Sequence, residues 1–141
     1  RFHVRAIRFP YSLFRGFPSP IIPMQLHGTG GWKEVWVYVD SGAFVSILAE
    51  GEARVLGLRV EDGQLTYSMV GDGSLIPVYI HHIPIRIGSI ELSVRLGFSP
   101  RLGVGFNLLG RQDIFTHFDV TFSDSRKRIT FTPVRQSASS R

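Results

Sequence analysis

One carboxylate stands where a carboxylate is costly. The stretch Val35 to Leu48 reads VWVYVDSGAFVSIL, so Asp40 closes a run of branched and aromatic residues and, after Ser41, Gly42 and Ala43, a second apolar run begins. Two readings fit this acid. In one it ends a strand by accepting hydrogen bonds from the amides that follow it, with glycine relaxing the backbone. In the other it has a partner or a task, because an unpaired charge in low-dielectric surroundings is expensive. The remaining residues able to do chemistry do not assemble into sites. There is no cysteine, hence neither a disulfide framework nor a thiolate. His81 and His82 are adjacent in a β-rich run, so their side chains point to opposite faces and do not share one metal ion; His3, His27 and His117 are isolated. Gly103-Val-Gly105-Phe-Asn-Leu-Leu-Gly110 lacks the spacing of a dinucleotide fingerprint, and no lysine follows to make a phosphate loop. The Gly-x-Ser-x-Gly nucleophile motif is also absent. Nothing in the residues calls for a metal or a cofactor.

The elements that must position Asp40 are strands. Period-2 and continuous β-rich runs predict them over Phe2 to Phe9, Ile22 to Leu26, Glu34 to Val39, Gln64 to Val70, Leu75 to His82, Ile83 to Ile87, Ile90 to Leu96, Phe106 to Leu109, Phe118 to Phe122 and Arg128 to Thr132. Turn chemistry separates these runs at Gly28-Thr29-Gly30-Gly31, Asp62-Gly63, Asp72-Gly73, Gly88-Ser89 and Asp124-Ser125. Two short helices are expected, one over Ala49 to Leu56 ending at Gly57, the other after Gly110 to about His117. The segment Pro10 to Pro23 holds four of the eight prolines and reads as an irregular arm, since proline cannot donate to a ladder. At 141 residues the chain fits one domain, placed at 1–133, with a flexible tail over 134–141 that ends in QSASSR and has nothing to bury.

Charge and hydropathy narrow the partners. The net charge is +5, with 14 arginines against 2 lysines, but the arginines are scattered from Arg1 to Arg141 and form no basic groove. The densest group, Arg126-Lys127-Arg128, falls in a predicted turn. No run approaches the roughly 18 apolar residues of a membrane span. The chain begins at Arg1 rather than Met and reads as an excised fragment, which leaves its compartment undefined.

Asp40-Ser41-Gly42-Ala43 after an apolar strand, together with Phe106-Asn107-Leu108-Leu109-Gly110-Arg111 some 65 residues later, resembles the single-domain aspartic proteases of retropepsin type. The second element is similar to that family's paired-hydrophobic-Gly-Arg signature, in which a strand crosses behind the catalytic loop. Between the two the family places a flap hairpin, for which Tyr67 to Tyr79 qualifies, with Gly71, Asp72 and Gly73 at its tip. The ending Phe118 to Phe131 looks most like the free-standing prokaryotic members. The resemblance covers about Val35 to Pro133 and implies an all-β, closed acid-protease barrel with one or two short helices.

The implied activity is endopeptidase chemistry through an activated water. That route needs an ionised carboxyl to take a proton and a protonated one to polarise the scissile carbonyl. Two carboxylates about 3 Å apart repel by roughly 5 kcal/mol at an effective dielectric near 20, so the pair holds one proton and titrates as a unit. The chain has a single Asp-Ser/Thr-Gly, so the second acid is expected from the Asp40 of another copy in a two-fold homodimer. Ser41 would then bind across the axis, and Gly42 would admit the substrate backbone. Two readings stand for the terminal strands, Phe2 to Phe9 and Arg128 to Thr132: interlocking between subunits, or barrel closure within one.

Two departures from the family are legible. The flap tip carries an acid, Asp72, which favours basic substrate positions or makes closure depend on pH. Where viral members have an acid four places after the catalytic one to pair with the Arg after the Gly, this chain has Phe44, so Arg111 loses that partner. Asp113 is poorly spaced to replace it, which leaves Glu50, Glu52 or an acid across the dimer. Phe44 and Val45 imply apolar walls and a preference for hydrophobic side chains at the cleaved bond. The expected partners are a peptide or protein substrate and a second copy of the chain, with no nucleic acid and no membrane contact within this fragment. Two alternatives have other functions: a catalytically silent module of the same fold that binds peptides or dimerises, and a basic β-barrel that binds nucleic acid.

Overall fold

Branched and aromatic residues between turn formers build strands along nearly the whole chain. The computed structural model describes residues 5–102 and 107–135. In order these hold β1 (Ile7–Pro10), β2 (Ser12–Phe14), β3 (Phe17–Ser19), β4 (Ile21–Gly28), β5 (Gly31–Val39), β6 (Ile47–Ala49), α1 (Glu50–Val55), β7 (Gln64–Met69), β8 (Leu75–Ile87), β9 (Ile90–Ser99), β10 (Asn107–Leu109), β11 (Phe118–Ser123) and β12 (Arg128–Pro133).

Six of the strands close on themselves. β4 pairs with β5, β5 runs parallel to β10, β10 pairs with β6, β6 runs parallel to β9, and β9 pairs with β8. β8 then returns to β4 through Gln25↔Arg86 and Leu26↔Ile85, so the ring has no free edge there. β7 lies outside the ring, paired only with the first half of β8. The interior is filled from every side by Ile22, Met24, Val37, Leu48, Ile85, Leu96, Phe98 and Leu109. A separate sheet, β1-β12-β11, covers one end, and Phe131 meets Phe9 and Phe118 edge-on at 6.0 and 5.4 Å.

β8 is one strand of 13 residues where two are expected, because no turn residue separates His82 from Ile83. Its inward parity changes along its length. Ile76, Val78 and Ile80 belong to a small cluster with Ile47 and Val45, whereas Ile83, Ile85 and Ile87 enter the main core. The twist of a long strand lets it serve two interiors in this way.

Three further expectations change. Pro10 to Pro23 is ordered: β2 and β3 form a hairpin through Arg15 (φ +52°) and Gly16 (φ +82°), and β4 begins at Ile21. Both turn residues have the positive φ that a type I′ hairpin requires, and Pro18 is tolerated because β3 has no second partner strand. The region after Gly110 is two short turns rather than a helix; Ile114 and Phe115 amides donate to Arg111 O, but Asp113 stands at φ +65° and interrupts the path. Of the terminal strands, β12 pairs within the chain but does not close the barrel, since its sheet is separate from the ring. It is the middle strand of its sheet, both edges paired within the chain, with Ile129 and Phe131 fully buried. The start of the predicted first strand, 2–4, the first residue of the predicted strand Phe106 to Leu109, the 103–105 part of the glycine motif and the tail 136–141 lie outside the described residues. The helix Ala49 to Leu56 is α1, closed by Gly57 at φ +77°, where a Cβ would meet Thr29 Oγ1.

Candidate active site

β5 alternates Val35, Val37 and Val39 into the core and delivers Asp40 at its end. The Asp40 amide donates to Leu109 O (2.9 Å), its Oδ1 accepts from the Gly42 amide (2.8 Å), and its carbonyl accepts from the Ala43 amide (3.2 Å). The strand-ending turn expected of this acid is thus formed. Within one chain Asp40 is half-buried rather than enclosed, because Ser41 and Gly42 are exposed and the loop opens to the surface. The Ser41 hydroxyl has no hydrogen bond among the described residues.

β10 supports this loop from behind. Leu108 and Leu109 lie beside Tyr38 and Val39 in parallel register, and Leu108 also faces Ile47, so β10 is held between the strands before and after the loop. Gly110 follows directly beneath it. A Cβ there would lie 2.8 Å from Val45 O and 2.9 Å from Ala43 O and Phe44 O. The Gly110 amide donates to the buried Ser46 Oγ (2.9 Å), the Arg111 amide to Ala43 O (2.9 Å) and the Gln112 amide to Phe44 O (2.8 Å).

Two supports have no role assigned from sequence. Asn107 is buried; its Oδ1 accepts from the Ala49 amide (2.9 Å), while Nδ2 donates to Trp36 O and to Glu52 Oε2 (both 3.1 Å). Its amide side chain within an apolar run is the signal that marks it. Ser46, the other, is a small polar residue inside VSIL and carries no such mark.

Arg111 lies with its guanidinium carbon 5.7 Å from the Phe44 ring centroid. None of the acids of its own chain considered for it is its partner: Asp113 takes Nε and Nη2 of Arg95 (2.9 and 2.8 Å), Glu50 pairs with Arg54 and Glu52 bonds Asn107. The Arg95 hydrogen bonds hold the Asp113 carboxyl down at about 2.

The roof is the β7–β8 hairpin. Met69 pairs with Leu75; the Val70 amide donates to Ser74 O and the Gly73 amide to Val70 O (both 2.9 Å), with Gly73 at φ +86°. Asp72 Oδ1 accepts from the Ser74 amide (2.9 Å) and Ser74 Oγ (2.6 Å), which lowers its pKa. A cavity of about 700 Å³ separates this tip from the Asp40 loop. Asp40, Gly42, Ala43, Phe44, Val45, Ile47 and Leu108 form its floor; Ser68 to Asp72 and Leu102 complete it. Of the predicted site residues, Asp40, Gly42, Ala43, Gly71, Asp72 and Leu108 line one space, whereas Ser41, Gly73, Leu109, Gly110 and Arg111 do not line it. His81 is held by Val60 O (2.9 Å) and packs on Phe98, with His82 exposed.

No family model matches the sequence, and no curated protein matches it. Solved structures do. A retropepsin-like aspartic protease from Rickettsia conorii superposes with a TM-score of 0.60 at 16% identity, covering 93% of this chain and 94% of its own. EIAV protease complexed with the inhibitor HBY-793 superposes with a TM-score of 0.53 at 19% identity, covering 74% of this chain and 92% of its own. The fold of this chain is retropepsin-like.

Proposed function

We propose that the chain is an aspartic endopeptidase that acts as a homodimer, cleaving peptide bonds with a water activated by paired Asp40 carboxyls. One observation carries the reading: Asp40 is pinned at a strand end by Leu109 O and the Gly42 amide, and faces a flap across a cavity of about 700 Å³. That volume suits the side chains of an extended peptide. A single chain brings one such loop, so the reaction is completed by a second copy whose Asp40 lies across a two-fold axis. The ionised member of the pair takes a proton from water as it attacks, and the protonated member donates to the carbonyl oxygen. The tetrahedral carbon then collapses with proton transfer to the leaving nitrogen. Ser41 is exposed beside the acid, which supports a bond from its hydroxyl across that axis. The flap excludes water and adds main-chain hydrogen bonds to the substrate. Phe44, Val45, Met69 and Leu108 give the cleft apolar walls, in keeping with hydrophobic side chains at the cleaved bond.

The test is cleavage of a diverse peptide library from pH 3 to 8 by the wild type and by Asp40→Asn. The substitution keeps the Oδ1 acceptor for Gly42 but removes the ionisable group, so cleavage falls by roughly 10²–10⁴-fold with fold and dimer retained. Full activity in Asp40→Asn rules out the assignment. Peptide binding by the wild type without turnover at any pH points instead to the silent module.

A further inference from the structure

We propose that Asp72 selects peptides bearing a lysine or arginine side chain near the cleaved bond, receiving that cation at the flap tip above a cleft with apolar walls. This rests on the cleft being a peptide site and names the class of peptide it takes. The described lining carries two charged groups, Asp40 in the floor and Asp72 in the roof; no basic residue lines it. The molecule around it is cationic, with a net charge of +5. At long range the chain therefore does not gather basic peptides, and a preference for them has to arise from contact inside the cleft, where short distance outweighs screening.

Asp72 is positioned for that contact. Both hydrogen bonds from Ser74 land on Oδ1, which fixes the carboxylate and leaves Oδ2 without a bond from that residue. The same bonds lower its pKa, which favours the ionised form. Of the two roles open to an acid at this position, charge recognition fits a carboxylate held in one orientation through Oδ1. Met69 and Val70 flank it, so the aliphatic stem of a lysine or arginine packs against apolar surface while its head reaches the carboxylate.

The experiment uses octapeptides with a central Phe-Phe pair in an alanine background, carrying Lys, norleucine or Glu at each flanking position in turn. Their binding is followed by fluorescence anisotropy on the non-cleaving Asp40→Asn protein, with Asp72 intact, as Asp72→Asn and as Asp72→Lys. Asparagine preserves the Oδ1 acceptor for Ser74, so the turn survives. At one or two positions the Lys peptide binds roughly threefold to fivefold tighter than the norleucine peptide. That ratio shrinks with salt, falls to about one in Asp72→Asn, and passes to the Glu peptide in Asp72→Lys. A lysine preference that survives Asp72→Asn overturns the proposal, as does equal binding of Lys and norleucine peptides at every position. Absence of binding by all peptides to all three proteins removes the peptide cleft itself, and this inference with it.

Discussion

A methyl group at Gly110 has nowhere to go, with three carbonyl oxygens of the Asp40 loop within 2.9 Å of where it would be built. All three are backbone atoms and cannot rotate aside. Gly110→Ala is expected to destabilise by about 1–3 kcal/mol through overpacking, read as a lowered denaturation midpoint, and to displace the loop so that activity falls further than stability does. At this scale Asp40, Gly42 and Gly110 were legible because their constraints are local: a turn, an acid after a strand, a glycine before a charged residue. Arg111 was not. Its contact with Phe44, 67 positions earlier in sequence, depends on which way two loops face after the chain has closed. Glu52 likewise serves Asn107 instead of an arginine, an assignment no spacing rule supplies.

Among the elements, the short turns after β10 are tied to β9 by one ion pair. Arg95 donates Nε and its backbone amide to Asp113 Oδ2 (both 2.9 Å) and Nη2 to Oδ1 (2.8 Å), first of the causes that hold this carboxyl at about 2. A carboxyl depressed in the folded state stabilises above its unfolded pKa of about 3.9, and that contribution disappears as pH falls toward 2. Asp113→Asn, which tolerates the same positive φ, is therefore expected to be less stable than wild type at pH 7 and to converge with it near pH 2 in urea titrations. A constant difference across that range would assign the effect to packing. Most strand positions were readable from alternation and turn residues, whereas the short strands β2, β3 and β6 and the fusion of two predicted strands into β8 were not. Whether a strand continues past His82 is settled by β4, β7 and β9 lying alongside to pair it.

For the whole molecule, the proposed chemistry needs two copies, so specific activity should fall when the protein is diluted below the dissociation constant of the dimer, in step with the dimer fraction measured by sedimentation. Full specific activity from a population of monomers would remove the shared dyad. Both edges of β12 are already paired within the chain, so the proposed dimer is expected to form without β12 as an interlocking strand. Composition, turn chemistry and the two short motifs sufficed for the all-β class and for the turn at Asp40, because each depends on residues within a few positions of one another. Closure of six strands into a ring, the threading of β10 behind the Asp40 loop, and the meeting of the β7–β8 hairpin tip with that loop across one cavity join residues 30 to 70 positions apart. Such proximity is paid for in chain entropy and returned by burial summed over the entire core, so no local segment encodes it.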